Sequence, residues 1–278
     1  MHRPVLLKSA IDGLNIRPGG KYIDATFGEG GHAKEIIKRG GKVLGIDIDQ
    51  CQMSNVKCQN KIIKNNSLRL VNGNFKYIEK IAKTNDFFPI DGVLFDLGLS
   101  MSQIMESERG FSYQRPNELL DMRLDIGQEL TAEKIINNFS LNELYEILAT
   151  FSEELNSRSI ARAIIGARQL KKIERVGDLL TIIDRAVGKK DRKVYARVFQ
   201  GLRIAVNSEL ENLKKGLAGT LKILKKEGRI VVISFHSLED RLVKQFIRQN
   251  HLKEIDKNFS GRQRLSFERS AKLRVIGY

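Results

Sequence analysis

Tyr22–Ile37 reads YIDATFGEGGHAKEII, and the order of its parts decides the fold. Tyr22-Ile23-Asp24-Ala25 is a short, mostly apolar run of strand character, and Gly28-Glu29-Gly30-Gly31-His32 breaks it. Ala33-Lys34-Glu35-Ile36-Ile37 then resumes with its apolar residues on one side. A strand, a glycine turn and an amphipathic helix in that order open a βαβ unit. Three glycines within four positions relieve the Cβ clash and let a ligand approach the backbone at a helix N-terminus. No Gly-Lys-Ser/Thr follows, which excludes a P-loop. Gly28, Gly30 and Ala33 satisfy G-x-G-x-x-A, so a dinucleotide site and a purely structural tight turn are both open at this point.

The alternation continues outward. Strands are predicted near Tyr22–Ala25, Val43–Asp47, Leu68–Val71 and Gly92–Asp96, with helices between them. That pattern specifies an α/β fold with a doubly wound, mostly parallel sheet. After Leu99 helical periods dominate: Ala132–Asn138, Leu141–Thr150, Ser157–Leu170, Asp178–Val187 and Val194–Leu213. A Ser140…Glu143 capping box opens the second of these. Strand character returns at Arg229–Ser234 and Lys272–Ile276. The economical reading is one α/β domain made of 1–104 and 205–278, interrupted by an all-helical insertion domain at 105–204.

The chain has 278 residues, 41% hydrophobic and 29% charged, enough for one substantial core and a second small domain. No apolar run approaches the roughly 18 residues of a membrane span, and MHRPVLLKSA holds too short an apolar stretch for a secretion signal. Cys51 and Cys58 stand among polar residues with no second pair, which argues against a structural disulfide or a metal site. A cytoplasmic, reducing compartment is the expectation. The net charge of +15 points to a polyanionic partner. Its signs are segregated: 102–155 carries 4 basic and 11 acidic side chains, 156–206 carries 13 and 4, and 241–278 carries 10 and 3. Uniform solubilisation would not separate the signs so; a nucleic-acid-facing surface would.

Asp47 ends the second strand 19 residues after Gly28, where a carboxylate can accept hydrogen bonds from ribose hydroxyls. Asp24, just before the turn, would repel a pyrophosphate but suits a cationic ligand. An adenosyl ligand with an amino-acid tail and a sulfonium fits both acids, so S-adenosylmethionine is preferred to NAD. Phe75 follows the third strand and either stacks on adenine or packs in the core. Asp96-Leu97-Gly98-Leu99-Ser100 follows the fourth, and all four segments point to the carboxyl end of the sheet, where ligands of open α/β folds bind.

MHRPVLL, DATFGEGGHA, GIDID, DLGLSMSQ, ERGFSYQ, LLDMRL, FQGLRIAVNSELE, ISFHSLEDRLVK and SAKLRVI occur in an order that resembles the ribosomal RNA small-subunit methyltransferase H family, from His2 to Ile276. The resemblance implies a class I methyltransferase-like fold. It implies methyl transfer from S-adenosylmethionine to the exocyclic N4 amine of a cytidine in the decoding region of 16S rRNA, with the small ribosomal subunit as partner; a homodimer is left open by the sequence. Matched residue by residue, it places the donor contacts on Gly30, Gly31, His32, Asp47, Phe75, Asp96 and Gln103. This chain departs from the family at Leu99-Ser100-Met101-Ser102, where Val-Ser-Ser-Pro is usual, and lacks Asn-Pro-Arg before Ser270.

Cytosine's exocyclic amine is a poor nucleophile, so its N–H groups need acceptors. Amine methyltransferases often carry Asp/Asn-Pro-Pro-aromatic after the fourth strand. DLGLS looks like a variant without prolines or aromatic, and Asp96 is assigned as acceptor in a catalytic group with Ser100 and His236. Ser234–Arg241 reads either as a helix start capped by Ser237 or as a site placing Phe235 or His236 against a flipped base. Arg109 and Arg123 bind phosphate or pair with nearby acids. Arg197, Gln200, Arg203 and Asn207 form one polar helix stripe, read as facing a cleft. Arg158, Arg162 and Arg168 share a helix face opposite the apolar one, read as facing RNA. The rival readings are a DNA amino-methyltransferase, an NAD-dependent oxidoreductase and a non-enzymatic RNA-binding module.

Overall fold

Alternate residues of the central strands enter two different cores, because successive side chains of a strand point to opposite faces. In β1 (Lys21–Asp24), Tyr22 joins one cluster and Ile23 the other; in β2 (Lys42–Asp47), Val43 and Leu44 divide likewise. In β4 (Ile90–Asp96) Leu94 lies between Val93 and Phe95 of the opposite face, and β5 (Leu224–Ser234) alternates from Ile230 to Ile233. A sheet apolar on both faces must be covered on both, which is why helices flank it. Helices α1 (Leu7–Leu14) and α2 (Gly31–Lys38) cover the face bearing Tyr22. The other is covered by α3 (Ile78–Thr84), α9 (Glu209–Leu221) and α10 (Ser237–Gln249).

This computed structural model describes residues 4–49, 67–100, 103–104, 107–255 and 270–277. Cys51, Cys58, Met101, Ser102 and the basic tail positions 256–269 lie outside the described residues. With β3 (Leu68–Asn72), β6 (Lys253–Glu254) and β7 (Lys272–Gly277), the sheet order is β3-β2-β1-β4-β5-β7-β6. The first five strands are parallel and β7 pairs antiparallel with both β5 and β6. The strand order reverses between β1 and β4, which opens a crevice beyond their carboxyl ends. Among the described residues, no helix is long and apolar enough to cross a membrane.

The chain divides into two compact units, 1–98 with 210–278, and 99–209. The second holds α4 (Ala132–Asn138), α5 (Leu141–Glu146), α6 (Ser157–Leu170), α7 (Val176–Val187) and α8 (Arg192–Asn207) around its own apolar cluster. The Ser140–Glu143 capping box is present, with Glu143 N–H donating to Ser140 and Ser140 N–H to Glu143. Two helical expectations need correction. The helix expected over Leu141–Thr150 passes at Ile147 into a π-turn, Ile147–Phe151. The one expected over Val194–Leu213 ends at Asn207, because Ser208 adopts φ 50° and its N–H closes on the Ile204 carbonyl. α9 starts immediately after it.

Candidate active site

The glycine turn divides its labour. Gly28 has φ +50°, a conformation other residues rarely adopt, and no atom lies within 4 Å of where its Cβ would stand. That is the open ground a ligand can use. At Gly30, φ +74°, a Cβ would lie 2.5 Å from the Phe27 ring, and at Gly31 it would lie 2.1 Å from Pro4. Packing against Phe27 and Pro4 therefore also requires glycine at positions 30 and 31. Gly30 caps α2 without a side chain, and Asp24 takes the Ala33 N–H in the first turn of that helix.

Acids close the strand ends around it. Asp24 is 1% exposed, and burial raises its pKa to about 7, partly offset by the Thr26 N–H; the nearby charge of Asp47 adds to the rise. Asp47 accepts the N–H groups of Gly28 at 2.6 Å and Asp49 at 2.9 Å, yet burial still lifts it to about 6. Asp96 is pushed up to about 8 by burial first, then by the charge of Asp24 and, more weakly, of Glu239. A fifth of its side chain remains open to solvent, which tempers that rise. Its N–H donates to Thr26 Oγ1 at 2.7 Å, and its Oδ1 is buried without a hydrogen-bond partner. His32, 5% exposed, sits with Nδ1 3.8 Å from Asp96 Oδ2 and Nε2 3.1 Å from the Val5 carbonyl. Burial lowers its pKa to about 4, so the ring is neutral and Nε2–H donates to Val5. Buried acids without a cation beside them are costly, and a positively charged ligand removes that cost. Phe75 opens a 3₁₀ turn capped by Asn74; its ring packs edge-on against Phe95 at 5.5 Å and against Gly216, and stays partly open.

The turn after β5 differs from expectation. His236, not Ser237, is the N-cap of α10: its Nδ1 accepts the Glu239 N–H at 3.5 Å. Its Nε2 lies 3.1 Å from Glu239 Oε1. The ring thus serves as the helix cap expected of Ser237, and Nε2 makes no hydrogen bond despite that short distance. Glu239, 2% exposed, also accepts the Phe235 N–H at 2.8 Å. Nothing in local spacing marked this acid as more than a helix-start residue.

The remaining expected site residues belong to the second unit. Ser100 and Gln103 close on each other, Ser100 N–H donating to Gln103 Oε1 at 2.9 Å and Gln103 N–H to Ser100 Oγ at 3.1 Å. That gives the Ser100 hydroxyl a structural partner beside the catalytic role expected of it. Arg123 makes a two-pronged bond to Asp121, at 2.7 and 2.9 Å, and reaches the Ile126 and Gln128 carbonyls. Arg109 donates to the Arg123 carbonyl at 2.7 Å. Of phosphate binding and internal pairing, the structure gives both arginines the internal partner.

The polar stripe of α8 is internal as well. Arg197 pairs with the buried Glu154, Gln200 with the Phe151 carbonyl, Arg203 with Glu209, and Asn207 with the Met122 carbonyl and the Leu124 N–H. These partners, and not a cleft, explain the stripe. Arg158 and Arg162 are exposed, with Arg158 5.3 Å over the Tyr145 ring. Arg168, expected beside them, turns instead to the carbonyls of Ile136 and Phe139 at the end of α4, where a cation is favoured.

A sheet of this order, holding buried acids where dinucleotide enzymes cradle a pyrophosphate, is that of an S-adenosylmethionine-dependent methyltransferase. The chain belongs to the MraW methylase family, which it matches over residues 1–277. It is 42% identical to the ribosomal RNA small subunit methyltransferase H of Cytophaga hutchinsonii, over 99% of this chain and 98% of that protein. It is 47% identical to the protein of the same name from Halothermothrix orenii, over 89% and 81%. Among solved structures, a Clostridium thermocellum protein provisionally described as an rRNA-methylase aligns at 12% identity and TM-score 0.48, covering 100% of this chain and 99% of that one.

Proposed function

We propose that this protein methylates the exocyclic N4 amine of a cytidine in the decoding region of 16S rRNA, in the cytoplasm, on RNA within the small ribosomal subunit. The observation that carries the reading is Asp96, a carboxylate at the end of β4 that keeps a fifth of its side chain open and can accept an amine N–H there. The substrate class is carried over from relatives named for small-subunit ribosomal RNA. A hydride-transferring enzyme would not place Asp24 and Asp96, both raised above the usual carboxylate range, beside a pyrophosphate.

When bound, S-adenosylmethionine supplies a methyl carbon activated by an adjacent sulfonium. The open ground at Gly28 and the uncompensated acids fit such a cationic ligand. Gly28, Gly30, Gly31, His32, Asp47, Phe75, Asp96 and Gln103 hold the donor, with Asp47 toward the ribose and Asp24 toward the positive charge. A neighbouring cation keeps Asp96 ionised, so the open part of its carboxylate accepts the amine N–H and returns electron density to nitrogen. A bound donor would give up its methyl at the carbon–sulfur bond, and the methylated nitrogen would then have a proton to lose. With the positive charge discharged, the proton affinity of Asp96 rises again, and the carboxylate takes that proton and releases it to solvent.

RNA contact is assigned to the exposed face of α6, through Arg158 and Arg162, and to Lys189, Lys190, Arg192 and Lys193 between α7 and the first turn of α8. Arg109, Arg123, Arg197 and Arg203 brace the second unit and support that contact indirectly. Nucleoside mass mapping of 16S rRNA from cells with and without this protein tests the reading. An N4-methylated cytidine that vanishes with the protein supports it, and an unchanged nucleoside profile overturns it.

A further inference from the structure

The segment Asp96-Leu97-Gly98-Leu99 carries no aromatic residue, so a base presented to Asp96 finds no stacking face on its own strand end. The structure supplies one from elsewhere. A Cβ on Gly98 would lie 2.6 Å from Cε2 and 2.7 Å from Cζ of Phe235, so the outer end of that ring occupies the place a side chain at position 98 would need. Gly98 also contributes a backbone hydrogen bond to Asp96, which sets the ring two residues from the acceptor. Phe235 also packs against the apolar cluster beneath α1 and α2 and is half-buried.

The ring is held from behind. Glu239 is 2% exposed and takes the Phe235 N–H at 2.8 Å and the His236 N–H at 3.4 Å. A buried carboxylate on two consecutive N–H groups fixes the main chain that carries the ring. Rigid aromatic faces favour any base by stacking, at little entropic cost.

We propose that Phe235 is the aromatic platform on which the target base stacks, supplied by the end of β5 in place of an aromatic after Asp96, with Gly98 kept small to admit it. This rests on the methylation reading above. Phe235 is then a substrate-positioning residue, and Glu239 positions it.

The chain contains no tryptophan, so Phe235→Trp introduces a single fluorescent reporter at this place. Its emission should be quenched on titration with small-subunit RNA, and much less with RNA whose target nucleotide is abasic. Phe235→Leu should lower single-turnover methylation by about ten-fold or more, the size expected for a lost base-stacking contact. Its calorimetric affinity for S-adenosylmethionine should be unchanged, which also shows that the variant folds, and Phe235→Tyr should restore the rate. Gly98→Ala should slow the reaction, and combining it with Phe235→Leu should add nothing, because both disturb one contact. Unquenched emission at saturating RNA, a Phe235→Leu rate equal to wild type, or additive effects in the double variant would each overturn the proposal. If wild-type protein methylates no RNA, the underlying reading fails instead.

Discussion

His32 Nδ1 lies 3.8 Å from Oδ2 of Asp96, and the ring is held there by its other nitrogen at the Val5 carbonyl. One Asp96 oxygen thus faces a neutral imidazole while the other is buried and unpartnered. A hydrogen bond from the Gly98 backbone orients the acid before any substrate arrives.

Replacing that acid separates chemistry from architecture. Asp96→Asn keeps the shape and puts a neutral amide where the acceptor and proton carrier stood. Single-turnover methylation on donor-saturated enzyme should fall by about 10²-fold or more, the usual size of a lost acid–base group. Thermal stability should change little or rise. An unaffected single-turnover rate would remove Asp96 from the chemistry.

The same acid makes stability depend on pH in an unusual direction. A carboxyl at about 8 in the folded protein and near its ordinary value unfolded binds its proton more tightly when folded. That contribution is fully present below about pH 4 and is lost as pH rises toward 8, with Asp24, at about 7, adding to it. Other acids, such as Glu154 and Asp240, are lowered and slope the opposite way, so the difference between variants is the clean measure. The stability of Asp96→Asn relative to wild type should rise from pH 5 to pH 9, by at most about 1.4 kcal/mol per pH unit. Denaturant titrations giving a difference that is flat or falls over this range would contradict the raised pKa.

Much of this was legible beforehand because it is local. Strand alternation, the capping box at Ser140 and the helix over Ser157–Leu170 are written in neighbouring residues, and the structure reproduces them. Asp24, Asp47 and Asp96 were legible as strand-end acids for the same reason. What escaped depends on partners far along the chain. Arg197 finds Glu154 across 43 positions and Asn207 finds Met122 across 85, so a stripe that is polar in sequence is internal in space. Ser208 broke an apparently continuous helix through backbone conformation, to which periodicity is blind. The Gly98–Phe235 contact joins two strand ends that only the sheet brings together.

Donor binding tests the second strand end. Asp47→Ala removes the proposed ribose acceptor and also the partner of the Gly28 and Asp49 N–H groups. Affinity for S-adenosylmethionine should weaken by about 1.5–3 kcal/mol, the range for hydrogen bonds to a charged group. Calorimetry on a folded variant showing unchanged affinity would sink the ribose assignment.

The exposed arginines of α6 make a prediction about salt. Arg158→Glu with Arg162→Glu should lower rRNA methylation strongly while donor affinity stays the same. Each lost phosphate contact should reduce the log–log salt slope of RNA binding by about 0.7–0.9. Full activity with an unaltered slope would show that this face does not meet RNA.

The central claim is that a methyl group reaches the exocyclic nitrogen of a cytidine. Its most direct test is incubation of this protein with isotopically labelled S-adenosylmethionine and small ribosomal subunits from cells lacking it, followed by mass spectrometry of the nucleosides. The account predicts label on N4 of one cytidine in the decoding region, absent with Asp96→Asn. Label on a ring carbon, on another base, or nowhere in the RNA would contradict it.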